Sequence, residues 1–586
     1  MACWAYLYTA RVAALSVRIH RYFLQPQVAD NNQLFAFFVY SISNMKKITN
    51  YIISNYAVIL FAVVLFFPLF FAFDADNADL PKRLWTNIAY TLITIIVLLV
   101  CQDKIRKVLA IIFALVSYAP NMIVLSFLIM DNYILKSTDF WVVFNSNPTE
   151  AANLFATLSA SVYVWCTIYT LLLIFSLVIL ERAKSKRTMP YYVQMIALIV
   201  LLSVSAILPF RAKVPMIDFY KSCYKYQREM RDVAEFYARR QNIQLDVTCS
   251  LPDGKKTFII VIGESQNRLH MQLYGYTRET NPLLSEIADE LICYKDVCSP
   301  ATQTLASLKQ VLSFSNYEHP ELYKQEANII EIVRSAGYKT FWIDNQGKSG
   351  NGAFAIDTYT PTSYRTMAKQ SNFYDDNKSA ARDSSLTPQL EQALNDSATN
   401  KVIFLHLMGN HFDYKERYEQ SFNVFTSTEG MNTPYLASLK QNQIDNVNAY
   451  DNATLYNDYI IRTFIEMLRK QEGISALLYF SDHGEEVYDY QLYMTRSFEM
   501  LSPAMCDIPL ILWQNDNYRR SSTLSLNADV PTCTDDIIYG IMDLTGAQYK
   551  LYEPEKSIFS PLYTPKERKV QGVAYQSIRD NFSNIH

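Results

Sequence analysis

Nothing in the 586 residues repeats, and no low-complexity tract, long basic run or G-x-x-x-x-G-K loop occurs. The missing repeat excludes a solenoid or propeller, and the missing glycine-rich loop excludes the usual phosphate cradle of nucleotide hydrolases. A formal net charge of -3 gives no case for nucleic acid as a partner. No cleavable signal is evident at the amino terminus. Histidine is scarce, with five between Lys256 and Tyr563.

What is present is uneven. Apolar residues crowd the first 210 positions, and the remainder alternates short apolar runs with charged segments. That pattern predicts a membrane part followed by a soluble part. Runs near the ~20 residues that a helix needs to cross a bilayer fall at about 51–73, 85–101, 108–130, 159–181 and 190–210, the third carrying Pro120. Lys46 and Lys47 precede the first run, Lys104, Arg106 and Lys107 lie between the second and third, and Arg182, Lys184, Lys186 and Arg187 between the fourth and fifth. The alternate loops hold Asp74, Asp76, Asp79 and Asp131, diluted by Lys82 and Arg83. The positive-inside rule then places the amino terminus in the cytoplasm and everything after Phe210 outside. Residues 1–44 fit neither part; Met45-Lys46-Lys47 before an apolar run reads as a natural start, with the upstream segment an extended start or an unstructured tail. Residues 211–256 read as a connector, either a basic amphipathic helix on the membrane surface or an ordinary solvated helix. Cys223, Cys249, Cys293, Cys298, Cys506 and Cys533 follow the apolar part, an even number that permits disulfides or free thiols; Cys293 and Cys298 are nearest in sequence.

From Thr257 the chain alternates strand and helix. Strands are expected at Phe258–Ile262, Lys339–Ile343, Val402–Leu407, Ala476–Ser481 and Ile508–Trp513, with helices at Ala327–Ser335, Leu386–Leu394 and Asn452–Lys470. Such alternation predicts a largely parallel sheet wrapped by helices, with ligands at the carboxyl ends of its strands. Four of those ends carry polar residues: Glu264, Asn345-Gln346, His406 with His411, and Asp482-His483. Any one acid there reads equally as a helix cap, and a lone histidine as a structural residue. Together they supply the oxygen and nitrogen donors that zinc accepts. In Cys298-Ser-Pro-Ala-Thr-Gln-Thr304, Thr304 stands where a helix begins; it reads either as a cap for a helix from Leu305 or as a nucleophile at a phosphate-binding helix terminus. Thr302 is the competing hydroxyl.

The combination of V-I-G-E-S (261–265), Y-G-Y-x-R-x-T-N-P (274–282), T-x-x-S-L (304–308) and S-D-H-G-E (481–485) after five apolar runs resembles the bacterial phosphoethanolamine transferases of the alkaline phosphatase and sulfatase superfamily, over about residues 45–570. D-H-G-E-E-V-Y-D (482–489) sets it closer to the core-modifying and general branch than to the lipid A enzymes. The resemblance implies a transmembrane domain of five helices over 45–210 and, over 257–586, a periplasmic α/β domain of alkaline phosphatase/sulfatase type with a mostly parallel central sheet. It implies a protein of the bacterial inner membrane, with phosphatidylethanolamine as donor and lipopolysaccharide (core or lipid A) or another envelope glycolipid as acceptor. Carried over by motif, the zinc ligands fall on Glu264, Thr304, Asp482 and His483, with Thr304 also the nucleophile and His411 a phosphoryl or second-zinc contact. Headgroup contacts fall on Ser146 and Glu150 of SNPTE, and Asn345 joins the substrate-binding set. A further polar position of that loop is occupied by Val142. Many relatives carry another histidine soon after the S-D-H-G-E motif; DYQLYMTRSFEMLSPAMCDIP has none, and Arg496 is expected to supply the positive charge. One zinc is therefore expected, a second being optional.

The implied reaction is double displacement through a phosphoethanolamine-threonine intermediate. Two competing readings are a phosphoglycerol transferase of the same architecture and a non-catalytic membrane receptor that keeps the pocket. A sulfatase is disfavoured because its C/S-x-P-x-R activation motif is missing around Thr304.

Overall fold

The computed structural model describes residues 55–68, 80–131, 159–183, scattered positions between 219 and 236, 244–345, 382–496 and 500–585. Residues 1–44, the 190–210 run, Ser146 and Glu150 lie outside these. The chain divides into two compact units meeting in sequence near Phe219 and Tyr220.

The first unit contains helices α1 (Tyr56–Leu65), α2 (Leu80–Val100), α3 (Asp103–Asp131) and α4 (Ala160–Arg182). Among the described residues, Asp103–Ser126 and Ala160–Arg182 are long and apolar enough to cross a membrane, and Tyr56–Leu65 and Asn87–Val100 are shorter apolar helices. An apolar exterior leaves few ways to specify helix packing, so polar contacts set the arrangement. Asn121 of α3 donates to the Leu65 carbonyl at 2.7 Å and to the Tyr169 hydroxyl at 2.9 Å, tying α1, α3 and α4 together. Arg106 donates through Nε to the Leu98 carbonyl at 2.7 Å, satisfying the exposed end of α2.

The second unit is built on a six-stranded sheet: β1 (Lys256–Gly263), β2 (Leu291–Cys293), β3 (Lys339–Asp344), β4 (Asn400–His406), β5 (Ile474–Ser481) and β6 (Leu510–Gln514), in the order β2-β6-β5-β1-β4-β3. Strands β3, β4, β1 and β5 are mutually parallel. Strand β6 is antiparallel to both β5 and β2, so the sheet is mixed where the alternating pattern alone predicts parallel pairing. The reason is local: among the described residues, the segment between β5 and β6 holds only short elements and no crossover helix, so the chain returns in the opposite direction.

Both faces of the sheet are covered. Phe258, Ile260, Ile262, Phe404, Leu478, Phe480 and Leu512 pack into one cluster with α5 (Thr304–Val311), α6 (Ile329–Ser335) and α9 (Ile537–Thr545). Ile259, Val261, Ile403, Leu405, Leu477, Tyr479 and Trp513 pack into the other with α7 (Thr387–Leu394) and α8 (Gln441–Arg469). Two-sided burial explains why β1 is an unbroken apolar run rather than an alternating one. Helix α8 starts eleven residues before the expected Asn452, because its first turns are polar where an amphipathic pattern is sought. Further along the helix buried polar groups are used: the Asn452 carboxamide oxygen accepts the Val424 and Phe425 amides at 2.9 and 2.8 Å.

The cysteines that the structure describes are free thiols. Cys298, Cys506 and Cys533 share one small cluster, while Cys293 packs against the α7/α8 core, away from the neighbour suggested by sequence distance.

Candidate metal and phosphoryl centre

Register places the first two acids. Ile262 pairs with Phe480 and Gly263 with Ser481, so Glu264 and Asp482 leave adjacent parallel strands at the same level. Glu264 sits at a strained turn: Ser265 has φ +57°, a conformation uncommon for a non-glycine residue and typical of functional sites. Its amide donates to Asp482 Oδ1 at 3.2 Å and its hydroxyl to Glu264 Oε1 at 2.8 Å. The Tyr450 hydroxyl of α8 donates to the Ser265 carbonyl at 2.6 Å and accepts from the Asn267 amide at 2.8 Å. Gly409, at φ +47°, crosses behind Glu264 so closely that a Cβ there would lie 2.8 Å from the Glu264 carbonyl oxygen.

Helix α5 brings the hydroxyl. Its N-cap is Gln303, which makes no side-chain cap bond, so Thr304 is the first helical residue rather than a cap. The Thr304 hydroxyl instead donates to Glu264 Oε2 at 2.8 Å and lies 3.4 Å from His483 Nε2. Ser307, one turn on, donates to the Asp482 carbonyl at 2.6 Å and fixes the helix against the β5 end. Thr302 is engaged elsewhere, accepting from Gln303 and Gln571 at 2.6 and 2.7 Å.

His483 is held at both ring nitrogens. Nδ1 faces the Gly484 carbonyl at 2.8 Å, and a carbonyl only accepts, so the proton is on Nδ1. Nε2 faces Arg496 Nη1 at 2.6 Å. That atom lies 3.2 Å from Glu264 Oε1 and 3.3 Å from Asp482 Oδ2. Gly484 allows the turn because a Cβ would meet the Ala504 carbonyl oxygen at 2.2 Å.

Glu264, Asp482 and His483 are completely buried, and each offers a ligand atom within 4.8 Å of the others'. Burial and then repulsion from Glu264 push the Asp482 carboxyl up to about 7. Burial acts against the Glu264 carboxylate too, but His483, His411 and Arg496 together outweigh it and hold that group well below the usual range. Asp482 Oδ2 is buried with no hydrogen bond of normal geometry. Two buried acids, an imidazole nitrogen aimed between them and an orphaned carboxylate oxygen are a set that a cation completes, and with the Thr304 oxygen they make the four N/O donors zinc accepts.

The remaining expected residues are arranged around this set. His411 follows the β4 end and its charge acts on Glu264. Asn345 is buried and donates to Asp383 Oδ1 at 2.9 Å; Asp383 also accepts the Met408 and Gly409 amides, each at 2.8 Å, and so shapes the turn leading to His411. His406 is buried with both ring nitrogens lacking a hydrogen bond. Residues without a role in the motif reading also matter. Glu485 Oε1 accepts from Tyr414 at 3.0 Å, and Oε2 lies 3.7 Å from Arg496 Nε. The Y-G-Y-x-R-x-T-N-P motif is an anchor: Tyr276 and Arg278 donate to Asp451 Oδ2 at 2.9 and 2.6 Å, and His270 faces Asp451 Oδ1 at 2.6 Å.

The family model named Sulfatase matches residues 256–547, the segment that contains every strand of the sheet and all four donor residues. Residues 256–547 are a sulfatase-family domain. The chain is similar to the phosphoethanolamine transferase EptC of Escherichia coli strain K12, 30% identical over 364 residues that cover 60% of this chain and 62% of that one. It thus spans less than two thirds of that relative's length. Among solved structures, the C-terminal periplasmic domain of Escherichia coli EptC in complex with zinc superposes with a TM-score of 0.53 at 29% identity, covering 57% of this chain and 96% of that domain. The integral membrane phosphoethanolamine transferase A of Neisseria meningitidis shares the fold over 85% of this chain and 98% of its own, with a TM-score of 0.61 at 22% identity. The sulfatase-family domain therefore carries the donor cluster on the strand ends that its fold uses for ligands.

Proposed function

We propose that this chain transfers phosphoethanolamine from phosphatidylethanolamine to a lipopolysaccharide or another envelope glycolipid, through a covalent intermediate on Thr304. The observation that carries the reading is the Thr304 hydroxyl, first residue of a helix, hydrogen-bonded to Glu264 within reach of His483. Similarity to EptC, and the zinc in the related solved domain, support the activity and the metal. Glu264, Thr304, Asp482 and His483 would hold one zinc, and a bound divalent ion lowers the pKa of an attached hydroxyl and neutralises phosphoryl charge.

In the first step the Thr304 oxygen forms a bond to phosphorus while the bond from phosphorus to the diacylglycerol oxygen breaks, and diacylglycerol leaves with a proton. In the second, an acceptor hydroxyl displaces Thr304, which recovers its proton. Glu264 orients the hydroxyl, and the first-turn amides of α5 offer free N–H groups to phosphoryl oxygens. His411 takes and returns the proton, and Arg496 contributes a planar, two-pronged cation for the phosphoryl oxygens. Ser146 and Glu150 contact the headgroup, Asn345 supports the wall through Asp383, and a second metal is optional. Both reactants are lipids, which accounts for joining this domain to apolar helices; five spans over 45–210 would hold it at the outer face of a bacterial inner membrane.

The deciding experiment offers purified protein in vesicles either labelled phosphatidylethanolamine or labelled phosphatidylglycerol. Label from phosphatidylethanolamine on the peptide containing Thr304 is expected. Label from phosphatidylglycerol instead would make the chain a phosphoglycerol transferase, and label from neither would leave the receptor reading.

A further inference from the structure

Beyond residue 547, where the sulfatase match ends, the chain forms a small hairpin that reaches back to the loop before Thr304. Strands β7 (Lys569–Val570) and β8 (Val573–Ala574) pair antiparallel across a two-residue turn, Gln571-Gly572, whose φ values are both positive, +52° and +82°. Such a turn suits Asn, Asp or Gly at its first position, and a glutamine there is strained. The hairpin is firmly seated. Arg568 clasps Asp296 through two bonds of 2.8 and 3.1 Å and lies 4.4 Å over the Tyr575 ring, Lys569 meets Glu318 at 2.7 Å, and Val570 is buried with Cys298, Cys506 and Cys533. From that seat the Gln571 amide donates to the Pro300 carbonyl at 2.9 Å, and its carboxamide nitrogen donates to Thr302 Oγ1 at 2.7 Å and Gln303 Oε1 at 2.9 Å. The Tyr317 hydroxyl also donates to the Pro300 carbonyl, at 3.2 Å.

We infer that Gln571 is a positioning residue for the Thr304 hydroxyl: the carboxy-terminal hairpin fixes the loop that leads into α5, and so sets the direction from which Thr304 meets Glu264. The inference rests on Thr304 being the nucleophile. Ser307 fixes α5 after Thr304, through the Asp482 carbonyl. Ahead of Thr304, the Gln303 side chain does not cap the helix; its amide nitrogen is committed to Thr302 and its oxygen to Gln571. Gln571 therefore holds Pro300, Thr302 and Gln303, all within the short approach to Thr304. Threonine is β-branched and has few side-chain rotamers, so a shift of this backbone becomes a shift of the hydroxyl. A misplacement of about 1 Å at a reacting atom costs up to ~10²-fold in rate. The strain at Gln571 has its physical reason here: a shorter residue that suits the turn does not reach Thr302 and Gln303.

Gln571→Gly in the full-length chain is the deciding variant, because glycine accepts the turn while removing both carboxamide bonds. Transfer kinetics in vesicles with labelled phosphatidylethanolamine are expected to show kcat lowered at least ~10-fold and KM for the lipid within about twofold of the parent. In a Thr302→Ala, Gln303→Ala background, where the carboxamide has lost both partners, the same substitution is expected to change kcat less than about twofold. A parent-like kcat overturns the proposal. So does a raised KM with kcat kept, which marks a substrate contact, and so does an equal loss in both backgrounds, which marks a general effect of the hairpin on folding. Gln571→Asn, which suits the turn but is one methylene short, replaces the glycine variant if that one fails to fold. Hydrogen exchange gives a readout without turnover: exchange is expected to quicken in the peptide holding 300–307 and to stay unchanged in those holding Glu264 and Asp482, and the reverse pattern overturns the proposal. Parent protein labelled from phosphatidylglycerol instead removes the donor assignment alone, and the kinetic comparison runs with that lipid. With label from neither lipid the transfer reading falls, and the exchange pattern decides whether Gln571 holds the loop.

Discussion

Thr304 and Thr302 are two residues apart and chemically identical, yet only the first points its hydroxyl at Glu264. Thr304→Ala is expected to lower transfer by at least ~10³-fold, as for loss of a nucleophile elsewhere, while Thr304→Ser retains labelling and Thr302→Ala stays within about tenfold of the parent; initial rates in vesicles check this. His270 makes a different test. Burial opposes its charge, but Asp489 and Asp451 more than compensate and raise the ring from 6.5 to about 10. A group whose pKa is higher in the folded state stabilises when protonated, so its contribution is fully present below pH 6.5 and disappears as pH rises towards 10. Denaturant unfolding across that window is expected to show falling stability in the wild type and a flatter profile in His270→Gln.

At the scale of elements, the site depends on backbones meeting closely. Gly409→Ala places a methyl 2.8 Å from the Glu264 carbonyl oxygen and 2.9 Å from its amide nitrogen, at a φ that disfavours side chains. The β1 turn has to shift, and we expect about 1–3 kcal/mol of lost stability together with weaker zinc retention, read by chemical unfolding and metal analysis. Helix α8 holds the same turn through one hydroxyl. Tyr450→Phe leaves the buried Asn267 amide without that acceptor, at an expected cost of about 1–3 kcal/mol in urea unfolding. If the midpoint is unmoved, α8 does not support the turn as described.

For the whole molecule, the proposed ligands come from three separate parts of the fold, so a bound metal would crosslink β1, α5 and β5. Chelation is expected to lower the unfolding temperature of the second unit, and zinc held a thousandfold above its dissociation constant to restore about 4 kcal/mol. Differential scanning calorimetry with and without chelator measures this; coincident traces would argue against a structural metal. Much of this architecture was legible in the amino acids alone. The apolar strand cores and the polar residues that end them, Glu264 and Asp482-His483, are local patterns, because burial on both faces demands continuous apolar runs and a turn must follow each. Other features were not. The reversed β6, the polar start of α8 and the anchoring role of Tyr276 and Arg278 depend on partners more than a hundred residues away, or on a missing crossover. The sequence by itself determined which side chains were available to bind a cation and at which strand ends they would stand. Only the tertiary structure decided that Thr304 rather than Thr302 faces them, that Asn345 serves Asp383, and that Arg496 lies against His483 Nε2. The physical reason is that hydrogen-bond direction and register act over a few ångströms, and those distances exist only once distant segments have packed together.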